Sequence, residues 1–168
     1  MRDKARQGAT QRGNAAMFSG KGIDYQETEI HQVWWPTINV GDFEARRGVP
    51  ADMSPEKIAA LLFAAVEQVN IELAPYQQRQ IEQGYNSAEA VQGGATMQGI
   101  NRLCHLYQTA VFARAKADLL PEYATGQMRK VGDTVAEREP DTRESLLAES
   151  QVHIRTIFGK RRASAMLL

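Results

Sequence analysis

The stretch SPEKIAALLFAAVEQVNIEL, residues 54–73, decides the fold. Ser54 stands where a helix cap is wanted, Pro55 suits the first helical position, and Glu56 favours the positive end of a helix dipole. Ile58, Leu61, Leu62, Ala65, Val66, Val69 and Leu73 then recur at the spacing that places them on one helical face. Glu56, Lys57, Glu67, Gln68 and Glu72 fall largely on the other. The pattern resumes beyond Pro75 with Tyr76 and Ile81, and Gly84 is a good stop. Pro75 predicts a kink or a break, because its ring removes a backbone donor and crowds the carbonyl four residues back.

Towards the C-terminus, Tyr85 to Gly94 reads as a connection. A second amphipathic stretch holds Met97, Ile100, Leu103, Cys104, Tyr107, Val111, Ala115 and Leu119, with its end predicted at Pro121. Residues 122–140 are polar, with Gly126, Gly132 and Pro140, and read as a long loop with room for a short helix. Asp141, with Glu144 three residues on, has the form of a capping box for a third helix. Its stripe is Leu146, Leu147, Ser150, Ile154, Ile157 and Phe158, and Gly159 stops it. Towards the N-terminus lie a short helix at Asp42 to Arg47 and the aromatic turn Trp34-Trp35-Pro36-Thr37-Ile38. No alternating run is long enough for a sheet, and no repeat is present. The expected fold class is all-α, a small helical bundle: an extended arm over residues 1–32, a helical domain over 33–159 and a docking tail over 160–168.

A chain of 168 residues is expected to form one domain. Net charge is zero but unevenly spread. Arg2, Lys4, Arg6 and Arg12 face Asp3 alone among the first sixteen residues, and Lys160, Arg161 and Arg162 open the tail. Basic ends on an acidic body suit contact with nucleic acid or an acidic partner, although solvated termini account for the first run equally well. The arm is rich in Arg, Gln, Gly, Asn and Thr without a sustained period. Such a segment takes order only from a surface it lies against. Cys104 is the sole cysteine, which excludes an intrachain disulfide and fits a reducing compartment. No uninterrupted apolar run approaches the roughly 20 residues of a membrane span, and residues 1–16 lack the apolar segment of a signal peptide. These features predict a cytoplasmic protein with no membrane partner.

Cys104-His105 is the one pair that suggests nucleophilic chemistry. Adjacent helical residues point about 100° apart, so the two form no dyad, and Cys104 on the apolar stripe reads as a core thiol. His31, His105 and His153 share no helical-turn spacing, which leaves a metal site without support. Gly20-Lys21-Gly22 and Gly93-Gly94 lack the rest of a phosphate-binding loop. Catalysis, metal and cofactor are therefore not expected. The candidate functional residues are those of the tail: Lys160, Arg161 and Arg162, suited to an acidic surface, then Met166, Leu167 and Leu168, suited to an apolar groove. An apolar tail beyond the last helix stop costs solubility unless a partner covers it. Trp34 and Trp35, a hydrophobic plug beside Pro36, are a second candidate for an interface.

Read together, the stretches Trp34 to Ile38, Glu72 to Ala88, Arg102 to Arg114 and Val152 to Lys160 resemble the head completion family of contractile-tailed temperate bacteriophages, often called the L protein. The resemblance runs from about Val33 to the C-terminus and lies in order, spacing and helical texture. It implies an all-helical adaptor of the virion, made in the host cytoplasm. Copies of such an adaptor form a ring, expected to be dodecameric, beneath the portal protein of a DNA-filled head. The ring stabilises the head, contacts genomic DNA at most non-specifically, and presents a platform to a tail-side connector or terminator protein. The competing reading is a DNA-binding packaging or regulatory protein using its basic termini. That reading calls for a contiguous basic helix face, whereas these helices mix signs.

Overall fold

The computed structural model of the chain describes residues 27–49, 53–128 and 142–160. Its elements, in order, are β1 (Glu29–Ile30), β2 (Ile38–Asn39), α1 (Val40–Arg47), α2 (Pro55–Glu82), a 3-10 turn at Ala88–Ala90, β3 (Thr96–Met97), β4 (Ile100–Asn101), α3 (Arg102–Met128) and α4 (Arg143–Ile157). The strands form two ladders of two residues each, so the architecture is the helical bundle expected.

Helix α2 buries Ile58, Leu62, Ala65, Val66, Val69 and Leu73, the face read from its spacing. It neither breaks at Pro75 nor ends there. Pro75 and Ile71 are both solvent-exposed, so the Ile71 carbonyl that loses its helical donor can turn to water instead of being stranded in the core. By length and composition alone α2 is long and apolar enough to cross a membrane, yet its inner face is spent on the bundle.

Helix α3 differs most from its sequence reading. It runs through Pro121 to Met128, because tertiary packing along its length offsets the local cost of the exposed proline. It begins at Arg102; Met97 and Ile100, assigned to the helix from sequence, instead pair across a hairpin. Gln98 and Gly99 between them both have positive φ, 53° and 79°, as a two-residue hairpin turn requires. Asn101 joins the two features. Its Oδ1 accepts the Cys104 N–H at 2.8 Å, capping α3, while its Nδ2 donates to the carbonyls of Ala88, Glu89 and Val91. Val111, Phe112, Ala113, Arg114 and Ala115 are buried in succession, so this middle stretch of α3 is enclosed on all sides between α4, α2 and α1.

Helix α4 is capped by Thr142, not Asp141: Thr142 Oγ1 accepts the Ser145 N–H at 3.1 Å, and Asp141 lies outside the described residues. At the other end of the domain, β1 pairs antiparallel with β2, Ile30 opposite Ile38. The folded body thus includes residues 29–32, which sequence placed in the arm. Asn39 Oδ1 caps α1 through the Asp42 N–H, and Phe43 on α1 meets Phe112 on α3 at 5.5 Å.

Ile58, Leu62, Val66, Val69, Leu103, Tyr107, Val111 and Ile154, eight residues of the apolar stripes read from sequence, are all buried. Leu62 is fully enclosed. Leu62→Ala is expected to destabilise the domain by about 2–5 kcal/mol, read as a lower denaturant midpoint at unchanged slope.

Candidate functional site

An aromatic ladder crosses the bundle and ends at the root of the C-terminal tail. Trp35 stacks on Tyr107 with ring centroids 4.4 Å apart and planes within 7°. Trp34 meets it edge-on at 4.7 Å, and Tyr76 of α2 lies on toward the surface at 6.3 Å. Tyr76 in turn meets Phe158, just past α4, edge-to-face at 6.1 Å. Arg79 and Lys160 place their charges over the Phe158 ring at 5.7 and 5.5 Å.

The backbone fixes the same point. Gly159 adopts the left-handed conformation, φ 71°, that a side chain would strain. The Gly159 N–H then donates to Thr156 O and the Lys160 N–H to Arg155 O, each at 2.9 Å, closing the last turn of α4. Lys160 is thus an exposed residue with a defined position and direction. Arg161, Arg162, Met166, Leu167 and Leu168 lie outside the described residues. Trp34 and Trp35, at 3 % and 4 % exposure, fill this chain's own interior and offer almost no surface to a partner. The plug read from sequence is internal.

Three polar clasps hold the helices around this ladder. Asn70 on α2 donates to Gln32 at 2.8 Å, Gln32 donates to the Pro36 carbonyl, and the Tyr107 hydroxyl lies 2.7 Å from Asn70 Oδ1 and 2.8 Å from Gln32 Oε1. Burial pushes the Tyr107 phenol far above its ordinary range, so it stays a donor. Arg114 on α3 pairs with Glu72 on α2, whose second oxygen accepts from Gln151 on α4 at 2.7 Å. Arg47, in the last turn of α1, donates to both oxygens of Glu149 and to the Thr109 carbonyl, joining α1, α4 and α3. Sequence marked Glu72 but not its partner. Such pairings bring together residues tens of positions apart and leave no local signal.

His153 stands beside Glu149, 4.0 Å away. Its pKa is lowered chiefly by burial; Glu149 acts against this and Arg47 with it. A histidine depressed in the folded state stabilises fully above its unfolded value of about 6.5 and loses that contribution as pH falls through the folded value. The melting temperature is therefore expected to drop between about pH 7.5 and pH 5.5, and less so in His153→Gln. Equal pH dependence in the two proteins would count against His153 as the group responsible.

Among the described residues no reactive constellation forms around Cys104. Burial first, then the Glu89 charge, pushes the Cys104 thiol up to about 11, which keeps it protonated and a poor nucleophile. Among the described residues Cys104 and His153 share no hydrogen bond, and no three His, Cys, Asp or Glu side chains converge as metal ligands. Cys104→Ser is expected to keep the fold and lower stability only modestly, read as a small fall in the denaturant midpoint; a large fall would assign the thiol more than packing.

One surface stands out that sequence reasoning passed over. The outer face of α2 exposes Phe63 at 54 % and Ile71 at 73 %, with Ile81 farther along. The signal was present in the sequence as a second apolar spacing on the same helix, hidden beneath the stronger core stripe.

Residues 30–168 match the family described as phage head completion protein (GPL). The chain is also similar to a probable head completion/stabilization protein of Haemophilus phage HP1 (strain HP1c1), 36 % identical over 156 residues, covering 90 % of this chain and all of the relative. No solved structure matches.

Proposed function

The chain belongs to the phage head completion protein (GPL) family, and from that membership we propose that it forms a ring beneath the portal of a DNA-filled head. In this reading it is a structural subunit without catalysis, assembled in the host cytoplasm into the head-tail connector of the virion. The ring stabilises the filled head and offers a platform to the next tail-side protein. The copies are expected to number twelve, a dodecamer matching a portal of the same symmetry.

The observation within the chain that supports this reading is the locked root of the tail. Lys160 is held by the Gly159 turn and by the Phe158 ring, so the tail is rooted at a defined point. Their order, basic and then apolar, suits an acidic rim followed by a groove on the portal. The clasps joining α1, α2, α3 and α4 supply the stiffness such a spacer needs.

The test is mass measurement of the purified protein alone and with portal-bearing heads. Many copies are expected to co-sediment with heads that carry a portal and few with heads that lack one. Equal retention on both would remove the portal from the reading.

A further inference from the structure

We propose that the outer face of α2 is a contact between copies, and that its occupant is the basic N-terminal arm of the neighbouring copy. The inference rests on the ring described above. Along α2, Ala60, Ala64, Glu67, Ile71, Ala74 and Ile81 are all exposed. With Gln78 they recur at alternating intervals of four and three residues, which makes one continuous seam along the helix. A solvent-facing helix surface is ordinarily polar. Here only 33 % of the most apolar stretch of α2 is buried, and the alanines of the seam allow another backbone to approach closely. Phe63 borders the seam, and Glu67, at its centre, has no ion pair among the described residues.

The chemistry of this face selects its occupant. It is apolar and acidic, with Glu67 and Glu82 on it and no basic residue between Lys57 and Arg79. The complementary segment carries bulky apolar residues among basic ones. The arm has that composition: Met17, Phe18 and Ile23 lie among Arg2, Lys4, Arg6, Arg12 and Lys21.

Length and point of departure agree. The arm joins the body at β1, and Gln32, just beyond it, is bonded to Asn70 at the edge of the same face of α2. The 26 residues preceding the described body reach up to about 85–95 Å when extended, roughly twice the ~42 Å of α2. That is ample to cross to a neighbour. In a closed ring every α2 face receives one arm and every arm finds one face, a head-to-tail contact that satisfies all copies at once. An arm with so few apolar residues gains too little from one contact alone and is held by the ring as a whole.

The experiment uses full-length protein in a Cys104→Ser background. Phe18→Cys protein is mixed with Ile71→Cys protein, assembled on portal-bearing heads and mildly oxidised. A covalent dimer of the two variants is expected, and a ladder of multimers from a chain carrying both substitutions. In parallel, Ile71→Glu, an exposed change expected to leave the melting temperature alone, should lower the copies retained per head severalfold. Copies present on heads without the mixed cross-link would overturn the inference while leaving the ring reading intact. An internal cross-link within single chains, with no ladder, would place the arm on its own subunit and also overturn it. Absence of any copies on heads would bring down both readings together.

Discussion

Removal of residues 160–168 is expected to leave the helical body folded and to abolish its stable attachment to DNA-filled heads. Phe158 and Gly159 remain, so α4 keeps its last turn apart from the bond donated by the Lys160 N–H. Among the described residues the other loss is the charge of Lys160 over the Phe158 ring, worth about 0.5–1 kcal/mol at an exposed site. Against a total stability of about 5–15 kcal/mol, neither loss unfolds the domain. Attachment is different. A short tail binds weakly alone, and a ring multiplies the effect of each tail, by about 10²–10⁴ where several engage together. Losing every tail therefore removes far more affinity than one contact would suggest. Co-sedimentation of the truncated protein with portal-bearing heads is the measurement. Retention at full-length strength would overturn the proposed role of the tail in attachment. Separate variants, Arg161→Ala with Arg162→Ala and Leu167→Ser, divide the effect between the basic and apolar halves, and the attachment that remains should be less sensitive to salt only in the first.

Trp35→Ala should be the most destabilising single change in the body. Trp35 lies between Tyr107 and Tyr76 with Trp34 against its edge, so its removal unstacks three rings and opens a large cavity where α2 and α3 meet. Truncations of buried tryptophan cost about 3–5 kcal/mol, a large share of what a domain of this size has. Trp35→Phe should cost much less. The Trp35 indole N–H has no partner among the described residues, so phenylalanine loses volume but no hydrogen bond. Trp34 is the contrasting case: its Nε1 donates to the Tyr85 carbonyl at 3.0 Å, and Trp34→Phe would break that tie between the aromatic turn and the end of α2. Equilibrium denaturation of the three variants checks the order. A Trp35→Ala protein within about 1 kcal/mol of the parent would show that the core closes without the ladder.

The family was legible in the sequence, through the order of its landmarks and not through any reactive motif. The candidate site was only half legible. The tail announced itself by composition, but its root did not: Phe158 was assigned to the core stripe, whereas it is half-buried and holds both Arg79 and Lys160. Trp34 and Trp35 read as a hydrophobic plug and a candidate for an interface, and their neighbours Tyr107 and Tyr76 place the plug in the interior.

By itself, the sequence determined the helical class, the inner face of α2, the stop at Gly159 and the eight residues that anchor the core, because each depends on spacing or on one residue's backbone preference. Tertiary structure alone decided the rest. Pro75 and Pro121 do not end their helices, since packing outweighs a local penalty on exposed turns. Met97 and Ile100 turn into a hairpin because Asn101 caps α3 and anchors residues 88–91 at the same time. Phe112 is buried although it lies off the stripe of α3, because α1 docks there and encloses the side that spacing would leave to solvent. Spacing along one helix records the face that helix must hide; which second face is also covered depends on what the rest of the chain brings against it.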